Sequence, residues 1–475
     1  MADRIAAWFD FSGNGTDYRT EILAGATTFM TMAYIIFLNP LILTGALTHQ
    51  PTGMDGGAVM VATCLGAALG TLIMGLYGRY PLAQAPGMGE NFFFVTMVGT
   101  LAAAGVANAW MMGLGVVFFS GVLFLALSLA GARSIIIRAI SPDMKHAMAA
   151  GIGIFIAFIG LRNAGVIAIP FPGVIQMNHQ FGRPDILVFL IGVILTAGLC
   201  ARHVRGAILW GLLATAIIAG VAREAMLALC GAEALPAWLA DSGLIKNFRL
   251  SGFPFSLDIP SLAPTFMAMD LRAAWSWTAV PFIIVFLFMD MFDTIGTFVG
   301  VTRRTGLMAE DGTMPRIEQA LTSDAVATVT GAMMGTSTVT TFIESATGVE
   351  QGGRTGFTSV VTAGLFVLAL FASPLVGMIG TYPSLTAPAL VIVGAMMLRS
   401  AADIRWDDYS EAIPCFLCML GIPLSYSIAD GLALGFVSYP LVKVCAGKSR
   451  EVGWLMYVLA VVLIAYFVGV RSAVG

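Results

Sequence analysis

The stretch GTSTVTTFIESATGVEQGGRTG, Gly335 to Gly356, decides the fold, and it lies between two apolar runs long enough to cross a membrane. Its Thr, Ser and Gly residues disfavour helix, and its Glu344 has no Lys or Arg after it until Arg354. Non-helical backbone survives at membrane depth only where it is buried in protein or lines a wet cavity. The stretch therefore predicts a broken membrane segment that presents a carboxylate to a protein-lined site.

The composition of the whole chain agrees with a membrane location. The 475 residues are 58% hydrophobic and only 11% charged, with a mean hydropathy of +0.89, whereas a soluble chain is typically about 25% charged. The apolar runs are too long for a β-barrel, which shows short alternating segments. We predict a polytopic helical membrane protein whose first segment is an uncleaved signal. The sequence has no basic tract that would predict nucleic-acid binding and no GxxxxGK[ST] pattern that would predict ATP-driven transport.

Two sets of seven apolar segments are predicted, each near or below the ~20 residues of a span. The first set is 20–43, 57–77, 86–100, 108–130, 142–162, 185–201 and 206–222. After a more polar loop, 223–273, the second set is 275–300, 319–335, 339–350, 356–379, 383–401, 409–427 and 429–446. The run 452–470 stands outside this pattern, and its length permits either a fifteenth span or a helix along the cytoplasmic face.

The distribution of positive charge supports this count. With the N-terminus in the cytoplasm, seventeen Lys and Arg fall on the inside and six on the outside, as the positive-inside rule requires. Because seven is odd, the second set must be inverted relative to the first. The third segment of each set is short and broken: YPLAQAPGMGENFFF (Tyr80 to Phe94) in the first and the opening stretch in the second. Paired interruptions of this kind indicate the substrate site of a transporter.

Further carboxylates lie in the eighth segment, FIIVFLFMDMFDTIGTFVG. Asp290 and Asp293 are three residues apart and share one helix face. An intramembrane acid indicates a functional site by default. The alternative is a structural acid that is hydrogen-bonded to hydroxyls such as those of Thr294 and Thr297.

The third segment adds Glu90 and Asn91, of which only one is expected to face a cavity because helical neighbours point about 100° apart. We favour Asn91, since an amide both donates and accepts hydrogen bonds. Of the phenylalanines that follow, Phe92 is a candidate for stacking on a planar ligand, with packing as the alternative. Thr341 of the opening stretch is a further candidate. The four His lack metal-ligand spacing, so neither a metal nor a cofactor is predicted, and the six Cys are interpreted as small core residues.

Four motifs carry a resemblance to a known family: TDYRTEILAGATTFMTMAYIIFLNP, APGMGENFFF, MDMFDTIGT and the opening stretch. Together they resemble the AzgA-like purine permeases, distant relatives of the nucleobase–ascorbate transporters. The resemblance implies an all-α fold of fourteen membrane segments in two inverted repeats of seven. It also implies a short strand and a half-helix in segments 3 and 10. Segments 1–4 and 8–11 would form a core domain, and segments 5–7 and 12–14 a gate domain.

These assignments divide the chain into six regions, because each domain is built from two separate stretches of sequence. The regions are a cytoplasmic tail (1–16), the first core stretch (17–132), the first gate stretch with the long loop (133–273), the second core stretch (274–382), the second gate stretch (383–450) and a C-terminal apolar helix (451–475).

The resemblance also implies a function, namely import of adenine, guanine or hypoxanthine by proton symport across the bacterial inner membrane, through elevator-like movement of core against gate. The family's substrate-binding positions fall on Asn91, Asp290 and Glu344, and its proton-linked position falls on Asp293. In the wider superfamily the substrate-binding acid falls on Asp293 instead, so two assignments of the aspartate pair stay open. Glu90 stands where other members carry an apolar residue, and it is either an added polar contact or a variant.

Two alternatives to a purine permease remain. One is an anion exchanger of the same architecture, against which the converging acids argue. The other is a membrane-embedded hydrolase that uses the aspartate pair, for which the sequence supplies no activated nucleophile or metal ligands. The expected partners are a purine nucleobase, protons and membrane lipid, and family analogy adds a homodimer.

Overall fold

Helices form most of the protein, whose computed structural model describes residues 2–130, 141–171, 174–230, 235–249, 256–305 and 316–466. The helices before the long loop are α1 (Ala2–Trp8), α2 (Tyr18–Met32), α3 (Ile35–Leu43), α4 (Gly56–Ile73), α5 (Met88–Ala103), α6 (Ala109–Leu129), α7 (Pro142–Asn163), α8 (Pro184–Ala201) and α9 (Ala207–Cys230). The loop and the C-terminal half contain α10 (Ala237–Ala240), α11 (Gly243–Lys246), α12 (Leu271–Ala274), α13 (Val280–Thr305), α14 (Ile317–Met334), α15 (Ser345–Glu350), α16 (Gly356–Ala369), α17 (Ser373–Gly380), α18 (Pro383–Leu398), α19 (Tyr409–Ser425), α20 (Ile428–Cys445) and α21 (Trp454–Tyr466).

Nine helical stretches within the described residues are long and apolar enough to cross a membrane. They are Tyr18–Leu43, Gly56–Gly78, Ala109–Leu129, Pro142–Asn163, Pro184–Ala201, Ala207–Leu229, Val280–Phe298, Gly356–Gly380 and Pro383–Asp403. The other five predicted segments also contain helix, although they are not among these nine stretches. The protein is therefore a multi-pass helical membrane protein.

The two broken segments meet through a pair of short strands. Strand β1 (Gln84–Pro86) precedes α5, and β4 (Val339–Thr341) precedes α15. They pair antiparallel, with Gln84 opposite Thr341 and Pro86 opposite Val339. The ladder gives partners to backbone groups that would otherwise be unpaired at membrane depth. The pairing also brings the start of α5 and the start of α15 to the same place in the molecule.

The helices pack in two groups. In one group α4 packs on α14 and α16, α6 on α14, and α2 on α15 and α16. In the other, α7 packs on α18 and α19, α8 on α9 and α18, and α19 on α20. The α7–α18 crossing is a backbone contact, because a Cβ added at Gly394 would lie 2.4 Å from the carbonyl oxygen of Gly153. Only glycine fits such an approach.

An ion network joins one end of α7, α19 and α20. Arg405 pairs with Asp143 at 2.6 Å and with Glu411 at 3.2 Å. The buried Lys443 pairs with Glu411 at 2.8 Å and with Glu451 at 2.7 Å, and this last bond holds the pKa of the Glu451 carboxyl below its ordinary value. Buried charges need such partners, so the network ties the helices of the second group to the turn before α21.

Four expectations need correction or fall partly outside the described residues. The all-α class omits a hairpin of β2 (Ile167–Phe171) and β3 (Val174–Met177), which lies between α7 and α8. The interpretation of the cysteines as core residues is wrong for Cys445, which is exposed near the end of α20, on a stretch whose Leu441 and Val444 are also exposed. The predicted domain boundary after residue 132 and the last four residues of the run 452–470 lie outside the described residues.

Candidate functional site

Three elements bring the predicted site residues together. Helix α13 carries Asp290 and Asp293, the start of α5 carries Glu90 and Asn91, and Glu344 is the N-cap of α15. The β1–β4 pairing and the packing of α13 on β4, α5 and α15 place these groups around one region.

Asp290 is fully buried, and its carboxylate is half-satisfied. Its Oδ2 accepts a hydrogen bond from Thr328 Oγ1 at 2.7 Å, while Oδ1 is buried without a hydrogen-bond partner among the described residues. The same Thr328 hydroxyl lies 3.3 Å from the carbonyl oxygen of Val339 on β4. A buried acceptor without a donor costs about 1–3 kcal/mol, more if it is charged. Oδ1 is therefore an atom that a ligand donor would stabilise.

Asp293 has a different environment from Asp290. Its side chain is exposed, and no hydrogen bond to it is found within the described stretches of the chain. It lies in electrostatic range of Glu90 and Glu344. Gly296, one turn further along, is also exposed, with nothing within 4 Å of where its Cβ would be. Asp293 and Gly296 therefore mark an exposed part of α13 beside the enclosed Asp290.

Glu344 receives its hydrogen bond from segment 1. The hydroxyl of Tyr34 donates to Glu344 Oε1 at 2.6 Å. Tyr34 is 1% exposed and lies at the break between α2 and α3. The carboxylate of the half-buried Glu344 thus contacts a buried tyrosine through Oε1 and lies within electrostatic range of Asp293.

Asn91 and Glu90 are both buried, so burial does not separate them. Asn91 Oδ1 accepts a hydrogen bond from Ser337 Oγ, and its Nδ2 is buried without a partner among the described residues. The Glu90 carboxylate folds back over Gly87, since a Cβ on Gly87 would lie 2.2 Å from Glu90 Oε2. Asn91 therefore offers an unused donor, whereas Asp290 offers an unused acceptor.

The two remaining candidates are engaged with protein groups. The ring of Phe92 is buried and packs edge-on against Phe155 of α7, with centroids 5.7 Å apart. The hydroxyl of Thr341 donates to Asp324 Oδ1 at 2.9 Å.

Asp324 is a buried acid that the sequence analysis missed. Its Oδ1 accepts from Gln84 Nε2 at 2.7 Å, and its Oδ2 accepts from Thr294 Oγ1 at 2.7 Å. Together with the bond from Thr341, these contacts join β1, β4, α13 and α14. The sequence could have indicated Asp324 as a candidate, because it is an acid within the apolar segment 319–335 and lies eight residues from Arg316.

Glu21 is a second missed acid, and it fixes the end of the broken segment. Its Oε1 accepts from the backbone N–H groups of Arg354 at 2.9 Å and Thr355 at 3.2 Å. Its Oε2 accepts from the N–H group of Thr358 at 3.0 Å and from the Thr358 hydroxyl at 2.5 Å. A carboxylate at the first turn of α16 is also favoured by the helix dipole. Glu21 therefore anchors the turn between α15 and α16 to α2.

A polytopic helical bundle whose two broken segments meet beside buried acids is typical of a membrane transporter, and comparisons with known proteins identify its class. The protein-family model Xan_ur_permease, which describes the permease family, matches residues 19–434 of this chain. The chain is 42% identical to the guanine/hypoxanthine permease PbuG of Bacillus subtilis, with 98% of this chain and 99% of the relative covered. It is 36% identical to the adenine permease AdeP of Escherichia coli, with coverages of 98% and 95%. It is 31% identical to the nucleobase transporter PlAzg2 of Paenibacillus larvae, with coverages of 90% and 78%.

A solved structure agrees on the fold. The transmembrane domain of the cyanobacterial bicarbonate transporter BicA matches with a TM-score of 0.59 at 16% identity, covering 88% of this chain and 96% of that domain. At this identity the match concerns the fold alone.

The chain belongs to the permease family, and the resemblance to the AzgA-like purine permeases is confirmed. The relatives are permeases and not enzymes, so the hydrolase alternative is wrong.

Proposed function

We propose that the protein imports a purine nucleobase, adenine, guanine or hypoxanthine, by proton symport. The observation that carries the proposal is a pair of buried, unpaired polar atoms, the acceptor Asp290 Oδ1 and the donor Asn91 Nδ2, each without a partner among the described residues. Both residues are connected to the start of β4, Asn91 through Ser337 and Asp290 through Thr328. A neutral purine presents ring N–H donors beside acceptor nitrogens or a carbonyl, so it complements both atoms. The names of PbuG and AdeP support this substrate class.

Glu344 supplies the second carboxylate of the proposed substrate site. A carboxylate accepts two parallel N–H bonds, and both are strengthened by its charge. A site that pairs every polar atom of its ligand rejects close analogues, because a mismatch leaves a buried group unpaired. Three further residues complete the proposed substrate site: Glu90 as an added polar contact, Phe92 as a ring for stacking on the purine, and Thr341, whose hydroxyl donates to Asp324 in this structure, as a polar contact.

Asp293 is the proposed proton carrier. It is exposed at the open side of the site and accepts no hydrogen bond from the described residues, so a proton can reach it from solvent. Two further carboxylates, those of Glu90 and Glu344, lie within electrostatic range of it. Accumulation of a neutral solute needs such a coupling ion, and one proton contributes about 2.3 kcal/mol per 100 mV of membrane potential.

We further propose that the fourteen predicted segments form two inverted repeats, with core residues 17–132 and 274–382 and gate residues 133–273 and 383–450. The two packing groups of helices support this division. The helices that carry the site residues pack on the first group, since α5 and α13 contact α6 and α15 contacts α2. An elevator-like displacement of the core against the gate would therefore carry the site between the two membrane faces.

The proposed orientation has the N-terminus and α13's C-terminal end in the cytoplasm of a bacterial inner membrane, so the site opens inward. In a Cys445→Ser background, Ser261→Cys should react with an impermeant thiol reagent in intact cells. Ser449→Cys should react only after the cells are permeabilised. The opposite labelling pattern would refute this orientation.

A homodimer in lipid is the proposed assembly, by family analogy.

Transport measurements test the function. We expect a purine-uptake-deficient host that expresses the protein to accumulate radiolabelled adenine, guanine or hypoxanthine, and a protonophore to abolish the accumulation. Uracil and sulfate are the comparison substrates. Sulfate uptake without purine uptake would favour the anion exchanger, and purine accumulation that resists the protonophore would reject proton symport.

A further inference from the structure

Segment 1 contacts the start of the half-helix α15 through two side chains three residues apart. Tyr34 donates to Glu344 Oε1 at 2.6 Å. Thr31 Oγ1 lies 3.2 Å from Thr347 Oγ1 and 3.5 Å from the carbonyl oxygen of Glu344. One contact comes from the last turn of α2 and the other from the break that follows it, so this part of segment 1 holds both the side chain and the backbone of Glu344.

The body of α15 lies so close to α2 at Gly348 that no side chain would fit between them. A Cβ on Gly348 would lie 2.7 Å from the carbonyl oxygen of Ala24 and 2.0 Å from Thr28 Oγ1. Glu21 anchors the turn that follows α15. With its backbone held at both ends and along its length, α15 has little freedom, and the orientation of the Glu344 side chain is the remaining variable.

Tyr34 determines that orientation. It is the one side chain among the described residues that donates to the Glu344 carboxylate, and it uses Oε1 alone. The buried phenol occupies one acceptor position of Oε1, so Oε2 is the oxygen that keeps its full acceptor capacity for the site. The tyrosine ring is itself 1% exposed, and its position is set by the break between α2 and α3.

We propose that Tyr34 is a positioning residue for substrate recognition, whose hydroxyl orients Glu344 so that Oε2 faces the purine. This inference deepens the proposed function and rests on it. The phenol does not touch the substrate. It prevents the carboxylate from rotating between equivalent positions, and pre-set geometry of this kind lowers the cost of binding.

The test is Tyr34→Phe, which removes the hydroxyl and keeps the ring. The matched control is Tyr439→Phe, because Tyr439 also donates to a buried glutamate, Glu411, at 3.2 Å, in the ion network away from the site. Purine binding to the purified variants is measured by calorimetry, KM and maximal rate by uptake, and folding by the thermal midpoint in detergent. Adenine, guanine and hypoxanthine are the probes.

We expect Tyr34→Phe to raise Kd and KM about tenfold or more, the range for a lost hydrogen bond to a charged group. Its maximal rate should stay within about twofold and its midpoint close to that of the wild type, and Tyr439→Phe should leave Kd unchanged. An unchanged Kd in Tyr34→Phe would overturn the inference, as would an equal loss of binding in Tyr439→Phe. Absence of purine binding by the wild-type protein would instead reject the proposed function.

Discussion

Replacing Glu344 with glutamine is expected to abolish purine uptake while the protein still reaches the membrane. The Tyr34 hydroxyl remains a donor, so the glutamine carbonyl should take the place of Oε1. The amide nitrogen then occupies the position of Oε2 and points a donor at the purine's N–H group. Loss of one charge-assisted bond and creation of an unpaired buried donor should weaken binding by about a hundredfold or more.

The control for this variant is Glu350→Gln, at the other end of the same half-helix. Glu350 is exposed, so its neutralisation should leave uptake near the wild-type level. Uptake is measured with radiolabelled purine, and membrane insertion is followed by quantitative blotting of membrane fractions. Wild-type uptake by Glu344→Gln would reject Glu344 as a substrate ligand.

The aspartate pair is expected to separate binding from coupling. In Asp290→Asn the amide oxygen can still accept from Thr328, which places the amide nitrogen at the unpaired position now held by Oδ1. A donor would then face the purine's donor, so Asp290→Asn should lose binding. The Asp293→Asn substitution is at an exposed position of α13 and leaves a neutral polar group there. It should retain measurable binding and counterflow exchange but lose accumulation, since an amide cannot cycle a proton.

The measurement is calorimetric purine binding to each variant between pH 5 and 9, together with uptake and counterflow. Glu318→Gln, an exposed acid on α14, is the control for loss of a negative charge. Lost binding in Asp293→Asn with intact binding in Asp290→Asn would reverse the two roles, as the wider superfamily suggests. Intact accumulation in both variants would remove the pair from the mechanism.

Much of the architecture was predictable because the membrane restricts it so strongly. Apolar runs predict helices wherever backbone groups cannot reach water. Thr-, Ser- and Gly-rich runs with isolated acids mark the places where this rule is broken. The interruption at Gly335–Gly356 and the acids Asp290, Asp293 and Glu344 were visible for that reason.

The partners of those acids were not predictable. Tyr34 and Glu344 are 310 positions apart in the chain, and Gln84 and Asp324 are 240 apart. A tyrosine in an apolar run looks like any other interfacial or packed aromatic residue. Asp324 did carry a signal as an acid inside an apolar segment, but its contacts with both strands depend on the β1–β4 register.

The sequence by itself determined that this chain is a helical membrane protein with two interrupted segments and with acids at membrane depth, because the cost of desolvation acts on each residue locally. Only the tertiary structure decided that Asp290 is enclosed, with one oxygen unpaired among the described residues, while Asp293 is open, although the two lie three residues apart on one helix face. It also decided that Glu344 is held by Tyr34 and that Asp324 joins the two strands. These outcomes depend on which distant groups packing brings within about 3 Å, the range of a hydrogen bond, and local sequence carries no record of that distance.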